Sequence, residues 1–170
     1  PIPYKDASNN TYIPIPHSEN YRFQIGDWSN GATWTLQGPT MLSTRDSVEG
    51  HYNNRHWIFG AWSEGNNVYC LAHHEWYQTM RSVDGFGGIN GYSLFNRRWV
   101  NGISFVSSTN GGASYTPWPA DSSNRLVVIP EPWAIQSKDT HFGFFHPSNI
   151  VKEGSYYYAC CEQRSLNADG

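Results

Sequence analysis

Glu75 is the residue whose surroundings point most directly to chemistry. It stands within the β-rich stretch Leu71–Tyr77, and on a strand it shares a face with His73, because successive residues alternate between faces. Glutamate is uncommon in strands and is rarely buried without a partner. An apolar wall would raise the pKa of Glu75 and suit it to general-acid catalysis. The alternative is a strand-edge carboxylate paired with Arg55 or Arg98.

Cleavage of a glycosidic bond is one reaction that uses a general acid of this kind, and it needs a second carboxylate as well. The two groups stand about 5–5.5 Å apart for retention of configuration or about 6.5–9.5 Å apart for inversion. Asp46, in a loop before Ser47, is the best candidate within the chain. Asp6 is the weaker candidate, because it lies in a turn-type sequence. A turn or capping role is the alternative for Asp46.

Several side chains could recognise a hydroxyl-rich ligand. Tryptophan rings stack on flat apolar faces, and asparagine and arginine side chains bind hydroxyl groups. Packing in the core or in a strand ladder is the alternative for each of them. The candidates are Arg22, Trp57, Trp99, Asn101, Ser148 and Asn149.

Seven histidines raise the question of a metal site. His73 and His74 are adjacent, so on a strand they point to opposite faces and cannot easily bind one ion. The sequence has no H-E-x-x-H motif. We therefore predict no cofactor. The histidines are expected to bind sugar hydroxyls or to be satisfied core groups.

The composition disfavours several classes of function. A net charge of -3 without any run of Lys or Arg gives no footprint for nucleic acid. No apolar stretch approaches a membrane span. The sequence also lacks a G-x-S-x-G motif, a P-loop and a dinucleotide fingerprint. All three cysteines, including the adjacent Cys160 and Cys161, are expected to be buried thiols.

The elements that must position these residues are β-strands. Aromatic residues make up 16 % of the chain, charged residues only 15 %, and almost no helical periodicity is present. Short turn sequences separate the β-rich runs, which predicts antiparallel meanders. The predicted strands are Thr11–Pro16, Tyr21–Ile25, Thr33–Gln37, His56–Trp62, Asn67–His74, Val100–Ser107, Arg125–Ile129, Ser148–Lys152 and Ser155–Glu162.

Two turn sequences follow the Asp-box pattern S-x-D-x-G-x-T-W. In Ser108–Tyr115, Asn110 can fold its amide onto the turn and Gly112 can adopt a positive φ. The serine hydroxyls can cap backbone groups, and Tyr115 is expected to fill the apolar space beneath. Asp27–Trp34 is a degenerate copy. Repeated turns of this kind favour β-propeller blades.

The order of these motifs resembles that of uncharacterised bacterial five-bladed β-propeller proteins related to arabinanase- and xylosidase-type glycosidases. The resemblance spans nearly the whole chain, and it lies in the order of the motifs rather than in any single one. The matching stretches are Arg22–Gly26, Asp46-Ser47, Arg55–Ile58, Val68–Tyr77, Ser108–Tyr115, Gly143–Val151 and Gly154–Tyr158.

This resemblance implies a five-bladed propeller of which residues 1–170 form one partial domain, since such domains usually run well beyond 200 residues. It implies an acidic residue at Glu75, with the base supplied by Asp46 or by an aspartate upstream of Pro1. It also implies that His17, His73 and His146 converge near the propeller axis, where a central metal ion is possible. The cellular location stays open between secreted, periplasmic and cytoplasmic.

Three interpretations of function follow. The first is a glycoside hydrolase-like protein that acts on a poly- or oligosaccharide. The second is a non-catalytic, lectin-like propeller that binds carbohydrate. The third is a structural fragment that associates into a homo-oligomer through open blade edges.

Overall fold

The computed structural model describes residues 2–16, 19–41, 56–76, 99–118, 126–128 and 141–164. Those residues form thirteen strands and a single-turn 3-10 helix at Gly31–Thr33, so the predicted all-β class is confirmed. The strands are β1 (Tyr4–Lys5), β2 (Thr11–Ile15), β3 (Tyr21–Ile25), β4 (Thr35–Gln37), β5 (His56–Glu64), β6 (Asn67–Trp76), β7 (Trp99–Ser108), β8 (Thr116–Trp118), β9 (Leu126–Val128), β10 (His141–Phe145), β11 (Val151–Glu153), β12 (Tyr156–Tyr158) and β13 (Glu162–Arg164).

The strands are arranged in three sheets. The first is the antiparallel meander β1-β2-β3-β4, and the third is the hairpin β11-β12. The central sheet has the order β13-β10-β7-β6-β5. Along its length, β7 pairs in turn with β10 in parallel and with β9 and β8 antiparallel. The described ranges contain no closed barrel or propeller, so the five blades and the single partial domain stay predictions.

The strand predictions differ from the structure mainly around residue 146. Tyr21–Ile25 is correct at both ends, but the predicted strand Ser148–Lys152 is wrong over its first half. Pro147 has no N–H to give to a ladder, and Ser148 instead donates its backbone N–H to the Cys160 carbonyl at 2.8 Å. The preceding strand β10 is not among the predicted strands. Gly143 at its centre has a φ of 112°, and a Cβ there would meet the Asn101 backbone, so both features require glycine.

The hydrophobic core lies between the first sheet and one face of the central sheet. Alternation along β6 sends Val68, Cys70 and Ala72 into this core, where each is fully buried. The other core members are Tyr4, Tyr12, Met41, Ile58, Ala61, Val106 and Tyr115. Burial raises the pKa of the Cys70 thiol to about 12.

Cysteine burial is predicted correctly only for Cys70. Cys160 and Cys161 are exposed, because the whole segment 151–164, which contains the β11-β12 hairpin, stands out at the surface. All three cysteines are free thiols.

The turn at residues 108–115, called the inner turn below, has the hydrogen bonds that its residue types predict. The Ser108 hydroxyl accepts from the N–H groups of Asn110 and Gly112, at 3.2 and 2.9 Å. The Asn110 side-chain oxygen accepts from the Ser114 N–H at 3.0 Å. Gly112 has a φ of 80°, and Tyr115 is buried. Membership of this turn in a propeller blade stays a prediction.

The turn at residues 27–34, called the outer turn below, is built differently. The Asp27 carboxylate accepts from the N–H and the hydroxyl of Ser29, both at 2.8 Å. Asn30 caps the 3-10 helix by accepting from the Ala32 N–H at 3.1 Å. The Trp34 indole donates to the Asp27 carbonyl at 2.9 Å. No residue of this turn is buried.

Candidate functional site

Strand register brings several of the predicted site residues together on one face of the central sheet. This face, opposite the core, is called the site face below. The β5–β6 pairing sets Trp57 opposite His73. The β6–β7 pairing sets Glu75 opposite Asn101. The end of β10 then leads into His146, whose ring lies against that of His73. Their convergence with His17 at a propeller axis stays a prediction.

Trp57, His73 and His146 form a series of stacked rings, called the ring cluster below. The Trp57 and His73 rings are 5.5 Å apart and 8° from parallel. The His73 and His146 rings are 5.7 Å apart and 17° from parallel. The Phe59 and Phe145 rings pack against His73 at 6.0 and 5.8 Å. An outer ring of such a stack offers a flat face of the kind on which an apolar ligand face can stack.

His146 supplies the most accessible ring of the cluster. Its side chain is 56 % exposed, whereas His73 is buried and Trp57 is half-buried. The His146 backbone has a left-handed φ of 44°, which a non-glycine residue adopts only where the surrounding structure enforces it. Pro147 follows immediately and turns the chain across the site face.

Asn101 is the polar residue with the most unusual environment. It is fully buried, and neither its Nδ2 nor its Oδ1 has a hydrogen-bond partner among the described residues. A buried amide without partners costs about 1–3 kcal/mol per unpaired group. Gly143 packs so closely against the Asn101 backbone that a Cβ there would lie 2.1 Å from the Asn101 carbonyl oxygen. The strand backbone around this amide is therefore tightly held.

Two further polar atoms on this side of the sheet are buried without partners among the described residues. They are the indole Nε1 of Trp57 and the side-chain oxygen Oδ1 of Asn149. Ser148 is different, because its hydroxyl donates to the Asn149 carbonyl and accepts from the Cys160 N–H, both at 2.8 Å. Ser148 therefore holds the fold, while the Asn149 side-chain oxygen has no partner among the described residues.

Arg22 lies on β3 and contacts the inner turn, which follows the end of β7 that is farther from Asn101. Its guanidinium donates to the Gly111 carbonyl and to the Tyr4 hydroxyl. It also donates to the Gln37 side chain at 3.0 Å and lies 4.0 Å from the centre of the Tyr12 ring. With these contacts the buried Arg22 anchors the inner turn onto the first sheet.

Some predicted residues fall outside the described residues. Asp46 and His17 belong to segments that are not described, and the side chains of Glu75 and Trp99 are also not described. For Glu75 and Trp99 only the strand positions are known, opposite Asn101 and beside His141.

The sequence analysis missed a charged group next to His146. Glu162 on β13 has a carboxylate oxygen 3.5 Å from the His146 Nδ1. Arg164 donates to the same carboxylate, and this hydrogen bond holds the pKa of Glu162 below its usual range. Arg164 also lies 4.5 Å from the centre of the Phe145 ring. The alternation of charged residues in Glu162-Gln-Arg164 could have indicated a further strand. The predicted strand Ser155–Glu162 ends where that strand begins.

A metal site is not evident in the ranges that the structure covers. No three His, Cys, Asp or Glu side chains there are grouped so as to hold an ion. The stacked His73 and His146 rings face each other, whereas imidazole binds a metal through the in-plane lone pair of a ring nitrogen. A central metal ion stays a prediction.

Comparison with known proteins gives no relative for this chain: no family model, curated protein or solved structure matches it. No helix in the described ranges is long and apolar enough to cross a membrane.

Proposed function

We propose that the protein is carbohydrate-active and that the ring cluster and Asn101 hold one sugar ring of a poly- or oligosaccharide. The observation that carries this proposal is the Asn101 amide, whose two polar atoms have no partner among the described residues. The amide is fully buried, so a sugar reaches it by displacing the groups that cover it. An amide carries both donors and an acceptor, which is what a pair of neighbouring hydroxyl groups requires.

The ring cluster supplies the second half of the recognition. A pyranose has one largely apolar face of C–H groups and a rim of hydroxyls. The flat rings of Trp57 and His146 suit the face, while Asn101 and the Asn149 side-chain oxygen suit the rim. Polar groups placed around an apolar surface are typical of small-molecule sites.

Within this proposal Glu75 is the general acid of a glycoside hydrolase-like reaction. Its register position opposite Asn101 puts it beside the proposed sugar site. The acid would protonate the leaving oxygen, while Asp46 or a carboxylate outside the chain would act as nucleophile or base. Glu162 is unsuited to the acid role, because its pKa is lowered by the hydrogen bond from Arg164.

Hydrolysis of aryl glycosides and of plant and algal polysaccharides tests the catalytic proposal. Glu75→Gln should lower kcat by about 100-fold or more, the usual contribution of a general acid. Glu153→Gln on the exposed strand β11 is the matched control and should leave kcat unchanged. Equal activity of wild type and Glu75→Gln would remove Glu75 from the mechanism.

A non-catalytic, lectin-like function is the second candidate. It is favoured by Glu162, the described carboxylate that contacts the ring cluster, because the hydrogen bond from Arg164 lowers the pKa of this group. A lowered pKa suits an acceptor of hydroxyl hydrogen bonds rather than a proton donor at neutral pH. Binding on a glycan array without release of reducing sugar would favour this candidate over the hydrolase.

A further inference from the structure

A cavity lies on the site face, toward the end of the central sheet that is away from the ring cluster. Its volume is about 430 Å³, within the range of about 300–1,000 Å³ that small-molecule sites occupy. The β11-β12 hairpin forms one side of it. The residues that matter for its chemistry are Trp62, Glu64, Tyr69, Phe105, Ile150 and Tyr157.

This cavity is separate from the ring cluster. The chain from His146 to Ile150 crosses the sheet between them, and the Ser148 carbonyl sits directly on Gly60, where a Cβ would lie 2.1 Å from that oxygen. Ile150 lines the cavity on the far side of this crossing. None of the ring-cluster residues lines the cavity.

Aromatic rings form the walls. Tyr69 and Phe105 both line the cavity, with their ring centres 6.2 Å apart and their planes 18° from parallel. Trp62 and Tyr157 meet edge-on at 6.0 Å and 72°. Such surfaces bind the flat apolar face of a ligand.

Glu64 gives the cavity one specific polar group. Lys152, Tyr157 and Trp62 all donate to the same oxygen, Oε1, at 2.6, 3.1 and 3.2 Å. The hydrogen bond from Lys152 is the main cause of the lowered pKa of Glu64. The second oxygen, Oε2, has no partner among the described residues, so it can accept hydrogen bonds from a ligand.

The charge of this polar group indicates the kind of ligand. Glu64 and Lys152 form an ion pair with no net charge, and the Lys152 ammonium lies 5.1 Å from the centre of the Tyr157 ring. An ion pair without net charge gives little net attraction to either a cationic or an anionic ligand. A neutral ligand with hydroxyl groups and an apolar face satisfies both the free oxygen and the aromatic walls.

We propose that this cavity is a second sugar subsite, which stacks one neutral pyranose ring on Tyr69, Phe105 and Trp62 and binds its hydroxyls through Glu64 Oε2. The proposal rests on the proposed function in that the ligand is a carbohydrate. It uses none of the same residues.

Calorimetric titration of the full chain with a panel of neutral mono- and disaccharides tests the proposal. Trp62→Ala should weaken binding at one site by about tenfold, from loss of one stacked ring. Trp28→Ala, an exposed tryptophan of the outer turn, is the matched control and should bind as wild type does. Binding unaffected by Trp62→Ala would overturn the second subsite.

Two variants separate ligand binding from anchoring of the hairpin. Lys152→Met breaks the ion pair but keeps Glu64 Oε2, whereas Glu64→Gln breaks the ion pair and removes the carboxylate. We expect Glu64→Gln to weaken affinity at least threefold more than Lys152→Met. Equal losses would mean that Glu64 acts only through the hairpin, which would overturn its role as a ligand group.

The outcome distinguishes this proposal from the proposed function. If wild type shows two binding events, and Trp62→Ala loses one while Trp57→Ala loses the other, the second subsite and the site at the ring cluster are both supported. Loss in Trp57→Ala alone overturns the second subsite and leaves the first. Loss in Trp62→Ala alone supports the second subsite and overturns the first. Absence of any saccharide binding by the wild-type protein overturns both.

Discussion

The inner and outer turns have matching residues at matching offsets, yet only one of them connects distant parts of the fold. In the inner turn, Gly112 sits over the Tyr4 and Tyr115 hydroxyls and Arg22 reaches the Gly111 carbonyl. In the outer turn, all the side-chain hydrogen bonds stay within residues 27–34, and none of these residues is buried. The same local pattern therefore has different structural importance, which depends on what lies beneath it.

The largest difference between the turns should come from their glycines. Gly112→Ala puts a Cβ 1.9 Å from the Tyr4 hydroxyl at a φ of 80°, which should lower the free energy of unfolding by about 3 kcal/mol. Gly31→Ala meets no atom within 4 Å, so it should change stability by less than about 1 kcal/mol. Urea unfolding of both variants measures this. Equal effects would mean that the inner turn is not anchored.

Arg22→Met should have the next largest effect, since it removes the link from the first sheet to the inner turn. Charge-assisted hydrogen bonds of buried groups are worth more than neutral ones, so we expect a loss of about 2 kcal/mol. Lys5→Met is the control, because Lys5 is exposed and its side chain donates only to Asn9. Chemical unfolding of Arg22→Met and Lys5→Met measures the two losses in the free energy of unfolding. A loss below about 0.5 kcal/mol for Arg22→Met would contradict the anchoring role.

Asn110 and Ser29 occupy the same offset in the two turns. Asn110→Ala removes the acceptor for the Ser114 N–H and the donor to the Ser114 hydroxyl, at a cost of about 1 kcal/mol. Ser29→Ala removes one exposed hydroxyl contact with Asp27, at a cost of less than about 0.5 kcal/mol. The difference between the thermal midpoints of Asn110→Ala and Ser29→Ala tests the comparison. No difference is expected if the side-chain contacts of both turns contribute equally to stability.

The smallest effect should be a pH dependence that belongs to the outer turn. The hydrogen bond from the Ser29 N–H to its carboxylate lowers the pKa of Asp27 in the folded state. The stabilisation that the ionised Asp27 carboxylate gives is therefore present above the unfolded pKa of about 3.9. It is lost as the pH falls through the lower pKa of the folded state. Asp27→Asn should flatten this part of the stability profile between pH 7 and pH 2. An unchanged profile would contradict the assignment.

Local features of this fold could be predicted from the sequence, and long-range ones could not. The strand Tyr21–Ile25 and the geometry of Gly112 follow from residue type alone. The stacking of Trp57 on His73 depends on a register that shifts between Ile58 and Gly60, and no local pattern specifies that shift.

The candidate site shows the same division. Asn101 was predicted as a pocket residue from its type, but its unpaired buried amide depends on three adjacent strands. Glu162 was missed because its contact with His146 needs β13 to pair with β10. The exposure of Cys160 and Cys161 depends on a hairpin that leaves the sheet. Each of these facts arises from pairing between segments far apart in the chain.

The stabilisation of Asn101→Leu by saccharide tests the central claim most directly. Leucine removes the unpaired amide at similar volume, so the variant should fold at least as stably as wild type. A saccharide present at about 100 times its Kd should raise the wild-type free energy of unfolding by about 2.7 kcal/mol. The account predicts a much smaller rise for Asn101→Leu under the same conditions. An equal rise in both proteins would contradict carbohydrate binding at Asn101.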